Sequence, residues 1–90
     1  MMKVVITVVG TDQVGIIAKI STILAEHGVN ILNINQNILD GYFNMVMIVD
    51  MTSATVPLKE VQKLLTAKGV EMGLEIKAQH EDIFMLMHKV

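Results

Sequence analysis

The sequence predicts an α+β fold in which a four-stranded antiparallel sheet carries two helices on one face and a short helix follows at the C-terminus. Three observations predict it. Two segments repeat apolar residues at three- and four-residue spacing, as amphipathic helices do. Four shorter segments are rich in β-branched and other apolar residues, as strands are. These segments follow one another in the order β-α-β-β-α-β along 90 residues.

The first strand is predicted over residues 3–9, where β-branched residues follow one another almost without a break until Gly10 stops them. Both of its faces are apolar, which indicates a central strand covered on two sides. The first helix is predicted from about Gln13 to His27. Asp12 is placed to act as its N-cap, and Gly28 follows its end as the C′ residue.

The second strand is predicted over residues 29–39. Alternation places Leu32, Ile34, Gln36 and Ile38 on one face, and Ile31, Asn33, Asn35, Asn37 and Leu39 on the other. The dipeptide Asp40-Gly41 then predicts a two-residue hairpin turn. The third strand, residues 42–51, is apolar on both faces and should therefore also be central.

The second helix is predicted to have Pro57 in its first turn, to carry Gly69 internally and to end at Gly73. The fourth strand, over residues 74–79, alternates apolar and charged residues, which suits an edge strand. Residues 82–90 predict a short amphipathic helix. Its apolar side consists of Ile83, Phe84, Met87 and Val90.

With right-handed crossovers, this order of elements predicts a ferredoxin-like sheet with strand order 4-1-3-2. We expect one domain over residues 1–90, with a core at 3–79 and a helical tail at 80–90. The two helices cover only one face of the sheet. The other face should be covered by the C-terminal helix, by a second subunit or by both, and an isologous dimer is the preferred arrangement.

Composition excludes several classes of function. Apolar residues make up 52% of the chain and charged residues 18%, which predicts a surface for a partner. No cysteine is present, so disulfides and thiolate metal sites are excluded and a cytoplasmic location is expected. A net charge of −2 with scattered lysines argues against direct nucleic-acid binding. No apolar run approaches the ~18 residues of a membrane span.

The pattern Gly10-x-Asp12-x-x-Gly15 lies between the first strand and the first helix, where free backbone N–H groups can hold a small anion. Together with Gly28-Val29-Asn30-Ile31 at the entry to strand 2, it resembles the ACT domain over residues 3–79. ACT domains are small regulatory modules that bind amino acids. The tail that begins His80-Glu81-Asp82-Ile83-Phe84 is similar to that of stand-alone ACT proteins related to the glycine-cleavage repressor.

The resemblance implies a ligand site between two subunits, because ACT domains commonly pair through helix 1 and strand 2. The implied ligand-binding residues are Gly10, Thr11, Asp12, Gln13, Val14, Gly15 and Asn30. Backbone N–H groups of the loop would hold an α-carboxylate, Asp12 would hold the α-ammonium, and Asn30 can donate and accept. Many ACT domains carry proline where Val14 stands, so this loop should be less rigid.

Each of these residues also has a structural interpretation. Asp12 could act simply as a helix cap. The two glycines could serve simply a turn or close packing, and Asn30 could simply form a hydrogen bond with the backbone. No catalytic set and no cofactor are predicted. The histidines at His80 and His88 do not form the HExxH spacing of a metal site, so none is predicted.

Three functions remain open. The first is a homodimeric or larger homo-oligomeric sensor that binds an amino acid or similar metabolite and acts on a partner protein. The second is a ligand-free interaction module that assists transcriptional regulation. The third is a small enzyme of the acylphosphatase or mutase kind, although such an enzyme would require an arginine in the first loop, which has none.

Overall fold

The computed structural model describes residues 1–87 of the chain. Its elements are β1 (Lys3–Thr11), α1 (Ile16–Glu26), β2 (Asn30–Leu39), β3 (Tyr42–Asp50), α2 (Leu58–Met72), β4 (Leu74–His80) and α3 (Glu81–Met87). The strands form one antiparallel sheet in the order β2-β3-β1-β4. This is the predicted 4-1-3-2 order counted from the opposite edge, so the predicted fold is confirmed.

The core lies between the sheet and the helices α1 and α2. The inward-facing residues of the two central strands are fully buried and pair across the sheet, as Ile6 does with Met47. The helices pack Ile20, Leu24 and Leu65 against this layer. Since both central strands carry apolar residues at every inward position, burial of the sheet by two helices is the arrangement that removes most apolar surface from water.

The other face of the sheet, which we call the open face, carries alternate residues of the same strands. Helix α3 covers one end of it. Val5 is only 5% exposed beneath this end, and the amide Nε2 of Gln79 donates to the Sδ atom of Met87 at 3.3 Å. Val9, on the same face, is 48% exposed. The C-terminal helix therefore covers part of the second face, as one of the predicted alternatives states, while His88 and Val90 lie outside the described residues.

Strand β1 is longer than predicted and α1 is shorter. Gly10 pairs with Phe43 and Thr11 with Tyr42, so Gly10 does not stop the strand. Helix α1 begins at Ile16, three residues after the predicted start. Its end is as predicted: Gly28 takes a left-handed φ of 71°, and neighbouring backbone N–H groups close the last turn on the carbonyls of residues 24 and 25.

Strand β2 contains a β-bulge that the sequence pattern did not predict. Ile31 pairs with Val49 and Asn33 pairs with Ile48, so Leu32 is an extra residue. Because of this insertion, Ile31 lies on the helix-covered face with Ile34. Its predicted place among the asparagines is therefore wrong. The three asparagines at 33, 35 and 37 lie on the open face, opposite residues 48, 46 and 44 of β3.

The second half of the chain follows the prediction closely. Helix α2 carries a buried Gly69 and ends at Gly73, which has a left-handed φ of 71°. Asp40 and Gly41 both have positive φ, as a two-residue hairpin turn requires. Strand β4 is an edge strand, with apolar residues inward and charged residues outward. Among residues 1–87, none of the helices has the length and apolarity needed to cross a membrane.

Candidate functional site

The loop between β1 and α1 is held by backbone interactions rather than by a helix cap. The N–H of Asp12 donates to the carbonyl of Gly41 at 2.8 Å. Gly15 has a φ of 88° and occupies the N-cap position of α1, where no side chain caps the helix. The predicted role of Asp12 as N-cap is therefore wrong, because the left-handed turn at Gly15 starts the helix beyond its reach. The carboxylate of Asp12 is exposed and makes no hydrogen bond or ion pair with any residue from 1 to 87.

The start of α1 presents several backbone donors with no acceptor in the described chain. The first hydrogen bond of the helix runs from the N–H of Lys19 to the carbonyl of Gly15 at 3.0 Å. The N–H groups of Ile16, Ile17 and Ala18 precede that bond, and no carbonyl or side chain of residues 1–87 accepts from them. Aligned donors at the positive end of a helix dipole are suited to a carboxylate or another small anion.

Gln13 ties this loop to the far end of α2. Its amide Nε2 donates to the carbonyl of Met72 at 2.8 Å and to that of Thr11 at 3.3 Å. The side chain of Val14, by contrast, is 96% exposed and contacts little. The loop therefore has one anchored residue and one that extends into solvent.

A groove of about 310 Å³ adjoins the start of α1. The loop and α1 form one wall, with Asp12, Gln13 and Gly15 among its residues. The other wall consists of Gln36 and Ile38 of β2, with Phe43 behind them. Sequence reasoning did not include this second wall in the site. The signal was present, because alternation along strand 2 already placed Gln36 and Ile38 on one face.

Gly10 and Thr11 lie at the end of β1. A Cβ atom added to Gly10 would stand 2.5 Å from the Cδ2 atom of Leu74 and 3.2 Å from the carbonyl oxygen of Gly73, so close packing alone favours glycine there. Thr11 pairs with Tyr42 as the last residue of the strand. Neither residue lines the groove, whereas Asp12, Gln13 and Gly15 do.

Asn30 lies at the opposite end of the sheet from the loop in the same chain. It pairs with Asp50, whereas Ile38 pairs with Phe43 beside Gly10. Along β2, Asn30 and Ile38 are separated by roughly 25 Å. The structure therefore does not bring Asn30 to the loop within one subunit.

Asn30 pairs with Asp50 on the neighbouring strand. The carboxylate of Asp50 accepts from the hydroxyl of Thr52 at 2.6 Å and from its backbone N–H at 2.9 Å. The hydroxyl bond first, and then the N–H bond, hold the pKa of Asp50 below its usual value. The N-terminal ammonium group also lies close enough to lower this pKa, so the chain itself places a cation at this end of the sheet.

Strand β2 has a strand neighbour on one side only, and none of its residues is fully buried. Leu32, Ile34, Ile38 and Leu39 are all exposed along it. A long edge strand with apolar side chains is a template for pairing with another strand. The free edge also borders the groove, because Gln36 and Ile38 belong to both.

Within residues 1–87, no three histidine, aspartate or glutamate side chains come together as metal ligands would. Of the tail residues considered for a metal, His80 lies 3.7 Å from Asp82 and His88 lies outside the described residues. The chemistry that the described site offers is hydrogen bonding and charge recognition.

Known proteins match this chain in sequence and share its fold. A family model described as the ACT domain matches residues 3–79. A UPF0237 protein of Methanocaldococcus jannaschii is 46% identical over 90 residues, which are all of both chains. The solved ACT domain protein from Streptococcus pneumoniae is 37% identical, with a TM-score of 0.79 over 92% of this chain and 93% of that one.

Two further solved structures share the fold. The regulatory subunit of aspartate kinase from Thermus thermophilus is 26% identical, with a TM-score of 0.67 over 87% of this chain and 50% of that one. A putative glycine cleavage system transcriptional repressor is 23% identical, with a TM-score of 0.75 over 88% of this chain and 45% of that one. The second likeness is one of fold alone.

Proposed function

We propose a function from one premise: this chain belongs to the ACT domain family. On that premise it is a regulatory module that binds an amino acid or a similar small metabolite as a cytoplasmic homodimer and acts on a partner protein. The observation that carries the proposal is the groove at the start of α1. It combines backbone donors that lack an acceptor, an unpaired carboxylate and the free edge of a strand.

The two charges of an amino acid match the two kinds of group in the groove. The N–H groups of Ile16 and Ile17 would hold the α-carboxylate, with about 0.3–1 kcal/mol from the helix dipole. The carboxylate of Asp12 would hold the α-ammonium, and it is free to do so because it does not cap the helix. The ligand's side chain would then lie along Gln36 and Ile38, one polar and one apolar.

A second subunit would complete the site through the edge of β2. If two copies pair antiparallel with their twofold axis near Ile34, the backbone of Asn30 in each copy lies beside Ile38 of the other, which lines the groove, while the Asn30 side chain points to the open face. The main chain of Asn30, which lies far from its own loop, would then border the groove of the other subunit. A ligand held by both subunits stabilises the paired state by mass action, which gives the module a means of signalling.

The name of one related structure supports the regulatory part of the proposal. The aspartate kinase protein is described as a regulatory subunit, and it shares this fold at 26% identity. The absence of cysteine from the chain suits a reducing compartment.

Thermal unfolding in the presence of each amino acid tests the ligand. A ligand at 100 times its Kd adds about 2.7 kcal/mol, which raises the Tm by on the order of 10 °C for a domain of this size. Asp12→Asn should abolish the shift. Glu26→Gln is the matched control, because it also converts an exposed carboxylate of the same loop–helix segment to an amide but lies at the far end of α1. No shift with any amino acid would refute the proposal.

The edge pairing of β2 tests the dimer. Ile34→Lys, which places two ammonium groups opposite each other at the twofold axis, should weaken binding although Ile34 does not line the groove, whereas Val70→Lys, an exposed control on α2, should not. Ligand should also raise the average mass in sedimentation equilibrium. If Asp12→Asn abolishes binding and Ile34→Lys leaves it unchanged, the ligand binds within one subunit and the shared site is wrong.

A further inference from the structure

We propose that the open face of the sheet binds a second copy of this chain, and that α3 of each copy lies in the uncovered groove of the other. This contact is separate from the edge pairing of β2 and does not depend on the ligand. It would join two copies face to face, or two edge-paired dimers into a tetramer.

The uncovered part of the open face is a groove of about 540 Å³. Its floor contains Val9, Val46 and Ile48 of the central strands, and asparagines of β2 line one side. Val46 lies at the middle, paired with Thr7 on one side and Asn35 on the other, and is 41% exposed. An apolar floor on the two central strands of a sheet is the part of this fold that a facing layer normally covers.

Helix α3 supplies a surface that matches this groove. Ile83, Met85, Leu86 and Met87 are all more than half exposed, and residues 83–87 carry no charge. The helix is about 10 Å long, and the groove runs about 13 Å along the strands. One α3 helix from the other copy therefore fits within the length of the groove.

The height of α3 decides which surfaces meet. A helix on a sheet stands about 10 Å above it, so two facing sheets cannot touch directly where α3 lies. The outer side of α3 is the part that reaches the other copy first. A twofold axis then places each helix over the end of the partner's sheet that the partner's own helix leaves open.

The chemistry of the groove identifies the partner as a copy of the same chain. No charged side chain lies among the residues that line it, so two identical faces meet without repulsion. The nearest charges, on Lys77 and Glu75 of the edge strand, pair with each other at 3.4 Å. Asparagine amides both donate and accept, so a row of them is complementary to itself.

The exposed area also fits a second copy. The accessible surface is 5643 Å², whereas a monomer of 9.9 kDa should expose about 5,200 Å². The uncharged patch and the outer side of α3 form a small surface, so the area buried should lie near the lower limit of about 1,000 Å² for a specific interface. The contact should therefore be a concentration-dependent equilibrium.

Sedimentation equilibrium of the full chain, from micromolar to millimolar concentration, tests the contact with three variants. Val46→Glu places a carboxylate on the floor of the groove, and Leu86→Glu places one on the outer side of α3, where Leu86 is 74% exposed. Each should raise the dissociation constant by at least about tenfold, because an unpaired carboxylate would be buried. Val70→Glu, at an 80% exposed position on α2, is the control and should leave association unchanged.

Mixing Val46→Lys with Leu86→Glu tests the reciprocal arrangement. In a pair made of one copy of each, one contact is native, and in the other the introduced ammonium and carboxylate lie opposite each other. Association should therefore recover in the mixture above the level of either variant alone. Circular dichroism shows whether each variant is folded. The amino-acid response of both variants should remain that of the wild type, because the ligand groove lies on the other face of the sheet.

Three outcomes would overturn the proposal. Wild-type protein that shows no association beyond an edge-paired dimer excludes the contact. Association that neither Val46→Glu nor Leu86→Glu weakens places the contact elsewhere. Loss of association in Val46→Glu alone, with no recovery on mixing, excludes the docking of α3. If no amino acid binds in the thermal screen, these three outcomes keep the same meaning, so this proposal and the proposed function can be refuted independently.

Discussion

Replacing Gln13 by glutamate tests whether one side-chain amide holds the ligand loop in place. In the native protein the amide Nε2 of Gln13 donates to the carbonyl of Met72 at 2.8 Å and to that of Thr11 at 3.3 Å. Glutamate has the same shape, but its carboxylate can only accept. The substitution therefore removes the donor and sets a negative oxygen against two carbonyl oxygens.

The loss of stability follows from these contacts. A neutral hydrogen bond of this kind contributes about 0.5–1.5 kcal/mol. Repulsion between the carboxylate and the carbonyls adds roughly 0.5 kcal/mol, because Gln13 is exposed and water screens the charge. The total is about 1–2 kcal/mol, which lowers the Tm by about 4–16 °C for a domain of this size.

The loss of stability in Gln13→Glu should depend on pH, because protonation of the introduced carboxylate restores a hydrogen-bond donor. Once protonated, the new glutamic acid side chain can donate to the carbonyl of Met72 again, so the folded state raises the pKa of this carboxyl above its unfolded value of about 4.3. Its favourable contribution is complete below that unfolded pKa and is lost as the pH rises through the folded pKa. The difference in stability between variant and wild type should therefore be largest at neutral pH and shrink toward pH ~4.

Urea unfolding at several pH values measures this difference, with Gln62→Glu as the matched control. Gln62 makes an equivalent bond from α2, its Nε2 donating to the carbonyl of Ala78 at 2.7 Å, far from the loop. Both variants should lose similar stability, but only Gln13→Glu should also weaken the response to the amino acid ligand. A Gln13→Glu protein as stable as the wild type at neutral pH, or one whose deficit grows in acid, would refute the reasoning.

Three further substitutions give distinct outcomes. Gly69→Ala gains about 1 kcal/mol of helix propensity, but its Cβ would stand 2.5 Å from the backbone oxygen of Leu74. We expect a net loss of about 1–2 kcal/mol in urea unfolding, and increased stability would contradict this close approach. Gly15→Ala should cost about 1–2 kcal/mol because of its φ of 88°, and unchanged stability would show that the loop can start the helix differently. Thr52→Ala removes the hydroxyl bond, which is the largest cause of the lowered pKa of Asp50, and keeps the backbone N–H bond. The wild type should then lose stability more steeply than the variant as the pH falls through the folded pKa, and parallel pH profiles would exclude this contribution.

The sequence pattern predicted the elements and their order with few errors. Two-sided apolar character identified β1 and β3 as the central strands, and the continued apolar stripe beyond Gly69 identified the long form of α2. These predictions succeeded because periodicity reports which faces of an element are buried, and burial dominates the stability of a small domain.

The candidate site was predicted less completely. The loop was identified, but Asp12 was given a capping role that the left-handed turn at Gly15 prevents. Sequence alone does not show whether a glycine lies inside the first turn of a helix or immediately before it, since both are common. The bulge at Leu32 was missed for a similar reason, because one inserted residue leaves the average alternation of a strand almost unchanged.

The amino-acid sequence by itself determined the sheet, its strand order, the excess of apolar surface and the resemblance of the loop to that of ACT domains. These properties depend on composition and on short-range periodicity, which are read directly along the chain. Only the tertiary structure decided that Gln36 and Ile38 face the Gly10–Gly15 loop, that Asn30 lies at the far end of the sheet, and that α3 covers only part of the open face. Those relations depend on strand register and on packing between distant segments, which a single bulge or a single left-handed residue can change.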